Sequence, residues 1–591
     1  MTNLNAASLI GAGFWKTNGN NGADPANGVF LGTSDNLPLE VKVNGQRALR
    51  LEPNTNGAPN VIAGSPMNFV VAGLSGATIG GGGATHYYSH FDFRYEAYTN
   101  SVTGDFGTVG GGYQNTASNS ATVGGGSLNT ASANHATVGG GNNNTAWGSA
   151  TVGGGAYNAA SGYSSTVGGG GLNTASNEDA TVGGGFHNTA NGVSATVAGG
   201  SDNLANNDRA TVGGGRQNTA SGYAATVGGG YQNTASTNAA TVAGGTNNLA
   251  SGWLAVVGGG EGNTASGVGA VVAGGWNNAA SNYMATVAGG DWNGAMNTNS
   301  TVGGGYLNTA SGDGAVVAGG GDNTASGDLA VVGAGGNNKA SGFASFVGGG
   351  GGQAGNQSLG NIASGEASVV GGGYLNIAGG LNATVGGGWG NIASGNYAMV
   401  LGGDNNHANG NYSFAGGSYA WATNSAAFVW SDGSIFPTSS TADQQFMVRA
   451  SGGFVFYTST NNNGVSLAAG SGSWTTMSDR NAKENFAPVD AQSVLAKVAA
   501  LPLATWNYKS QNASIRHLGP MAQDFKAGFA VGETDTGIST VDADGVALAA
   551  IQGLNQKVEA QLKAKDAEIQ DLKARLEKLE KLMLEKTGGV K

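Results

Sequence analysis

Cysteine is absent from all 591 residues, which excludes a disulfide scaffold and any thiolate-bound metal. Proline supplies only nine residues, and charged side chains only 10%. No run of about 18 apolar residues occurs, so no segment reads as a membrane-spanning helix, and no membrane insertion is expected. The N-terminal residues lack a basic start followed by an apolar stretch, so no secretory leader is expected either. Positive charge is scarcest of all: between Thr103 and Trp430 the only lysines and arginines are Arg209, Arg216 and Lys339. A net charge of -11 with no basic stripe argues against nucleic acid as a partner, and none is expected. Glycine is what the chain has in excess, 112 residues, or about 19% against a usual ~7%. It does not fall at every third position, which excludes collagen.

The glycines belong to a repeat. A valine recurs 20 times from Val109 to Val400, 15 residues apart except for two early steps of 14 and one of 23. Six residues after it comes asparagine (Asn115, Asn129, Asn144, on to Asn406) and eight after it alanine (Ala117, Ala131, Ala146, on to Ala408), each in 19 of 20 copies. The copy at Val347, which carries an eight-residue insertion, breaks both patterns. The phase extends back to Ile79 and Ile62 and forward to Phe414 and Val429. A period of 15 suits one coil of a β-solenoid, because helical repeats need ~30 residues or more. Each unit reads A-[TV]-V-G-G-G-x-x-N-T-A-S-x-x-x. Ala-Thr-Val is expected to be a short strand with Val and Ala inward and Thr outward, and the glycines to turn the chain where φ is positive. Stacking would bring the asparagines within ~4.8 Å, close enough for a ladder of side-chain amides. One valine and a few alanines make a thin core for 15 ordered residues, so an obligate oligomer is expected. About 20 such coils predict a rod roughly 100 Å long.

This pattern resembles the head repeat of trimeric autotransporter adhesins over residues 61–430. The resemblance implies a mainly β, trimeric, left-handed parallel β-roll and says little about ligand. The family's membrane-anchor barrel has no counterpart here.

Two positions of the unit vary freely, four before and four after the valine. They hold Tyr113, Tyr163, Phe186, Tyr223, Tyr231, Trp253, Trp276, Tyr283, Tyr306, Phe343, Tyr374 and Trp389. Such a row suits packing between protomers, or a set of flat platforms for the sugar rings of a surface glycan. Asp313 and Asp328 take one position in successive coils, about the spacing of a retaining glycosidase pair, which raises a polysaccharide depolymerase as a lesser alternative; unpaired surface carboxylates are the default reading. His86, His90 and Asp92 have metal-ligand spacing only on a helix, whereas their aromatic neighbours favour a strand or loop, so no metal and no other cofactor is expected. Residues 1–60, with a hairpin pattern at 38–51, read as a β adaptor that docks to a larger particle, a baseplate or tail. Insertions interrupt the array near 84–102 and 351–358.

Composition changes after Trp430. Residues 431–477 read as a β neck, 478–547 as a small α+β module and 548–586 as a coiled coil. In the coiled coil Leu548, Ile551, Asn555, Val558, Leu562, Lys565, Ile569, Leu572, Leu576, Leu579 and Met583 alternate at a and d sites. Asn555 and Lys565 are the two polar members, placed to fix register. Three spaced motifs occur in order: Ser478-Asp479-Arg-Asn-Ala-Lys483, then His517-Leu-Gly519-Pro-Met-Ala-Gln523, then Asp544-Gly-Val-Ala-Leu548. Together they resemble the intramolecular chaperone of phage tail fibres and tailspikes, the peptidase S74 family. The resemblance implies a homotrimeric fibre whose C-terminal module trimerises the chain and then cuts itself off. It assigns the cut to Ser478 and Lys483 and a supporting role to Asp479, His517, Gly519 and Gln523.

In that chemistry Ser478 is the nucleophile and Lys483, neutral, its base. At an ordinary pKa of ~10.4 about one lysine in 2,500 is neutral at pH 7, so the pair needs burial by assembly. The bond cut would be Ser478–Asp479 or the one before it. No turnover on an external substrate is expected. The reading is a receptor- or surface-attachment fibre of a phage or phage-like particle, extracellular or virion-associated. A bacterial cell-surface adhesin with the same chaperone is the alternative.

Overall fold

The computed structural model of the chain describes residues 24–27, 30–89, 93–352, 360–433, 436–460 and 463–587. It has two compact units, Met1–Arg449 and Ala450–Lys591. The first is a parallel β-solenoid. Its larger sheet holds 27 strands, of which two form the N-terminal hairpin Leu39–Val43 and Gln46–Glu52, leaving 25 coils from Asn60–Ala63 to Phe446–Arg449.

Each coil except the last contributes two short strands. Thr181–Val182 pairs in register with Thr166–Val167 and Thr196–Val197, and Thr189–Ala190 pairs with Thr174–Ala175 and Leu204–Ala205. Alternation along a strand then sorts the side chains. Val182, Ala180 and Ala190 have no exposed surface, while Thr181 and Thr189 are half-buried. The first strand covers Thr-Val of the expected Ala-Thr-Val, and the alanine and valine are buried as expected. The second strand, the Thr-Ala that follows the asparagine, was not evident from the repeat. Alanine has little strand propensity, yet Ala190 is fully buried there in the coil interior.

The asparagine column also differs from the expected ladder of side-chain amides. Asn188 is buried, and its Oδ1 accepts the backbone N–H of Asn203 at 3.1 Å. Its Nδ2 donates to the carbonyls of Gly184 at 3.0 Å and Gly200 at 2.8 Å. Amide-to-amide contacts occur only in some coils, such as Asn203 Nδ2 to Asn188 Oδ1 at 3.1 Å. The column chiefly serves backbone groups that the turn leaves without partners, which a buried turn must satisfy.

The third glycine of the triplet is the one the turn requires. Gly200 has φ +92°, and a Cβ there would collide with the Gly215 carbonyl oxygen of the next coil. Two further positions per coil are left-handed and in most coils not glycine, such as His187 and Ser194, both at φ 54°. Their N–H groups reach back to the preceding coil, to Gly171 and Glu178 at 2.8 Å each, and these bonds offset the strain.

Excursions leave the column intact. After the insertion at Val347, Asn361 resumes it with a bond to Asn338 at 3.0 Å, and Ala363 is buried, so the break in the repeat is one of numbering only. Asn68 and Asn100 begin the column across the hairpin Ala84–Ser89 and Arg94–Tyr98. At the N-terminus, Gln46–Glu52 pairs antiparallel with Asn60–Ala63 and covers the edge of the first coil.

The second unit opens with a three-stranded antiparallel sheet, Gly453–Tyr457, Gly464–Ala468 and Thr475–Thr476. Helix α1 (Ala491–Ala500), a two-stranded ribbon (Ala504–Trp506 with His517–Gly519), α2 (Ala522–Phe529) and the 48-residue α3 (Thr540–Thr587) follow. Helices α1 and α3 touch at Gly553, which is buried; its carbonyl accepts Gln492 Nε2 at 2.6 Å, and a Cβ on it would collide with the Ala491 carbonyl. From Leu548 to Met583 the apolar stripe of α3 is exposed, 63% and 68% at its two ends.

Candidate functional site

Ser478 follows directly on the three-stranded sheet, whose last bond runs from Met477 N to the Gly464 carbonyl at 3.1 Å. Asp479 then caps a single 3-10 turn, Arg480–Ala482, by accepting the N–H of Asn481 at 2.9 Å. Lys483 closes the turn, its N–H on the Arg480 carbonyl at 3.2 Å. One turn over five residues brings the lysine back over the serine, and Lys483 Nζ donates a hydrogen bond to Ser478 Oγ. The Arg480 guanidinium stands 5.4 Å from the centre of the Phe486 ring and steadies the chain beyond the turn. Both members of the pair are exposed. A lysine that donates to the serine holds its hydroxyl in place; removing the serine proton requires the neutral amine.

The other predicted site residues lie elsewhere in the unit. His517 is half-buried in the ribbon, its ring 4.9 Å from Trp506 and 5.8 Å from Tyr508, with Nε2 3.0 Å from Gln511 Oε1. That setting makes it a ribbon-forming residue. Gly519 ends the ribbon strand with open space where a side chain would be. Gln523 is exposed on the first turn of α2. Among the described residues no hydrogen bond links these three to Ser478 or Lys483. The aromatic pair Trp506 and Tyr508 was missed in the sequence, where no spacing ties them to His517.

In the solenoid, the carboxylate of Asp328 accepts the backbone N–H of Asp313 at 2.9 Å. Asp208 does the same for Val193 at 2.9 Å, Asn396 for Leu381 at 3.1 Å and Asn411 for Asn396 at 3.0 Å. Asp328 and Asp208 are thus backbone caps, a role an amide serves equally, and that role accounts for the Asp328 carboxylate without a glycosidase pairing. His86 lies on a strand, stacked on Tyr95 at 4.2 Å, so it lacks the helical spacing that metal ligation needed. His90 and Asp92 fall outside the described residues. The aromatics at the two variable positions are exposed, from 36% at Tyr113 to 58% at Tyr163.

A parallel β-solenoid in a chain with a C-terminal helical module fits a fibre- or spike-like protein. The comparisons agree with that class: residues 478–530 match the Peptidase_S74 family, described as chaperone of endosialidase. No curated protein matches the chain. Among the described residues no helix is long and apolar enough to cross a membrane.

Proposed function

We propose that the protein is a homotrimeric fibre or spike for attachment to a receptor-bearing surface, carried by a phage or phage-like particle through its N-terminal region. Its C-terminal module joins three chains and then cuts itself off at or beside Ser478–Asp479. The observation that carries this reading is the apolar stripe of α3, exposed along the single chain and interrupted only by Asn555 and Lys565. An a/d stripe of this length in water calls for partner helices. The Peptidase_S74 match at 478–530 supports the cut, and the hydrogen bond from Lys483 to Ser478 supports these two as its reacting pair. Assembly gives the pair what one chain lacks, burial that favours the neutral amine.

Mass spectrometry and light scattering of purified protein test both halves. Trimers with residues 479–591 released are expected, and Ser478→Ala or Lys483→Ala trimers that stay whole. A chain ending at Met477 is expected to aggregate. A monomeric wild type, or Ser478→Ala protein that is still cut, refutes the reading.

A further inference from the structure

The two 14-residue steps of the repeat shorten one particular corner. Between the alanine strand and the left-handed residue, an ordinary coil has three residues, as at Ser132, Ala133 and Asn134 before His135. The shortened coils have two: Ser118 and Asn119 before Ser120, and Trp147 and Gly148 before Ser149. The corner at 147–149 therefore lies recessed between the fuller corners 132–135 and 161–164. The recess is a groove of about 500 Å³ floored by Trp147, Gly148 and Ser149, with Asn134, His135 and Tyr163 on its walls. Gly148, at φ 58°, permits the tight turn, and the Tyr163 ring lies beside it, 3.5 Å from where a Cβ would stand, an ordinary contact. Ser149 fixes the floor to the wall, its N–H on the Asn134 carbonyl at 3.0 Å. Trp147 stays 51% exposed and Tyr163 58%.

We propose that this groove is a saccharide subsite for a neutral or N-acetylated glycan, with Trp147 as its stacking platform; the proposal rests on the attachment reading above and names the class of its ligand. The lining chemistry selects that class. Two aromatic faces suit the C–H faces of pyranose rings, and the amides of Asn119 and Asn134 with the hydroxyls of Ser132 and Ser149 suit ring hydroxyls. No carboxylate, lysine or arginine lines the groove, which disfavours charged sugars and peptides. Trp147 stands apart from the repeating aromatics, one position off their register, in a corner shaped by a missing residue.

Titration of the intact protein with maltohexaose, cellohexaose, chitohexaose and a linear N-acetylgalactosamine hexamer, followed by saturation-transfer NMR and calorimetry, tests it. Saturation transfer to at least one of these is expected. Trp147→Ala should weaken that binding at least about tenfold, as loss of an aromatic anchor does. Ser132→Trp, which fills the groove from an exposed wall, should do the same without touching the core. Leu254→Ala, 49% exposed on an ordinary corner and outside the aromatic row, should leave it unchanged. Binding by none of the four, or equal binding by wild type and both groove variants, overturns the subsite. Adhesion of wild-type protein to polysaccharide-bearing cells is scored separately. Its absence counts against the attachment reading, whereas adhesion that survives both groove variants overturns the groove alone.

Discussion

Replacing Asn248 by aspartate keeps the shape of the side chain and reverses one half of its hydrogen bonding. Asn248 is 1% exposed. Its Oδ1 accepts the Asn263 N–H at 3.0 Å, and its Nδ2 donates to the carbonyls of Gly244 at 2.9 Å and Gly260 at 2.8 Å. An ionised aspartate preserves the first bond and turns a second oxygen toward both carbonyls. The Gly260 carbonyl retains the Thr246 N–H at 2.9 Å, so the Gly244 carbonyl and the buried charge bear most of the loss. Unmet buried groups at ~1–3 kcal/mol each put the cost at about 2–5 kcal/mol at pH 7. Coils couple mainly to their neighbours, so the damage stays local.

Hydrogen exchange of the Asn263 amide and its neighbours, in the whole protein, reads this directly. An acceleration of at least about 30-fold at pH 7 is expected from that cost. The sign with pH is fixed. The folded aspartate has its pKa raised above the unfolded ~3.9, because only the protonated acid can donate to a glycine carbonyl. Its stability is therefore fully present below about pH 3.9 and lost as pH rises through the folded pKa. Protection close to wild type at pH 3 and poor at pH 7 is the expected outcome. Equal protection in variant and wild type at pH 7 would refute the role given to the asparagine column.

Gly200→Ala, at φ +92° and against the Gly215 carbonyl, should destabilise its coil by more than about 1 kcal/mol, while Gly199→Ala, with open space, should cost little; exchange in coils 182–227 separates them. Gly553→Val should undock α1 from α3 by collision with the Ala491 carbonyl, raising protease cleavage in 491–500 by about tenfold or more, and an unchanged digestion pattern would contradict that packing. His407 lies against the Trp421 ring at 4.9 Å, and burial holds its imidazole pKa below the usual range. Neutral His407 is the form that the fold favours, so its contribution is present above about pH 6.5 and lost as pH falls through the lowered value; exchange in 392–422 should rise on that descent, and His407→Gln should flatten it.

The period of the repeat was enough to read the coil, the inward valines and alanines, and the need for a positive-φ glycine, because each rests on one strong residue preference. The left-handed positions were illegible: Gln217, Leu172, His187 and Trp292 all occupy one of them, so the conformation is imposed by the coils above and below. In the second unit the spacing of five between Ser478 and Lys483 was legible, and so was the stripe of α3. The Asp479 cap that makes the spacing work, the aromatic box of His517 and the crossing at Gly553 depend on partners distant in sequence or on a turn type with weak sequence signal.

Asn361 re-enters the asparagine column after the insertion with bonds to Asn338, Gly349 and Gly373, the set its neighbours make. The Ala84–Tyr98 excursion is bridged in the same way, by Asn100. Coil closure is thus indifferent to the path taken at a corner. Such a scaffold can change length in two independent currencies, whole coils added in steps of one period and loops of any size grafted at a corner, without retuning what lies next to them. Among the copies within this chain the corners differ while the interior stays fixed, so such a scaffold can diversify what it displays and keep one folding problem.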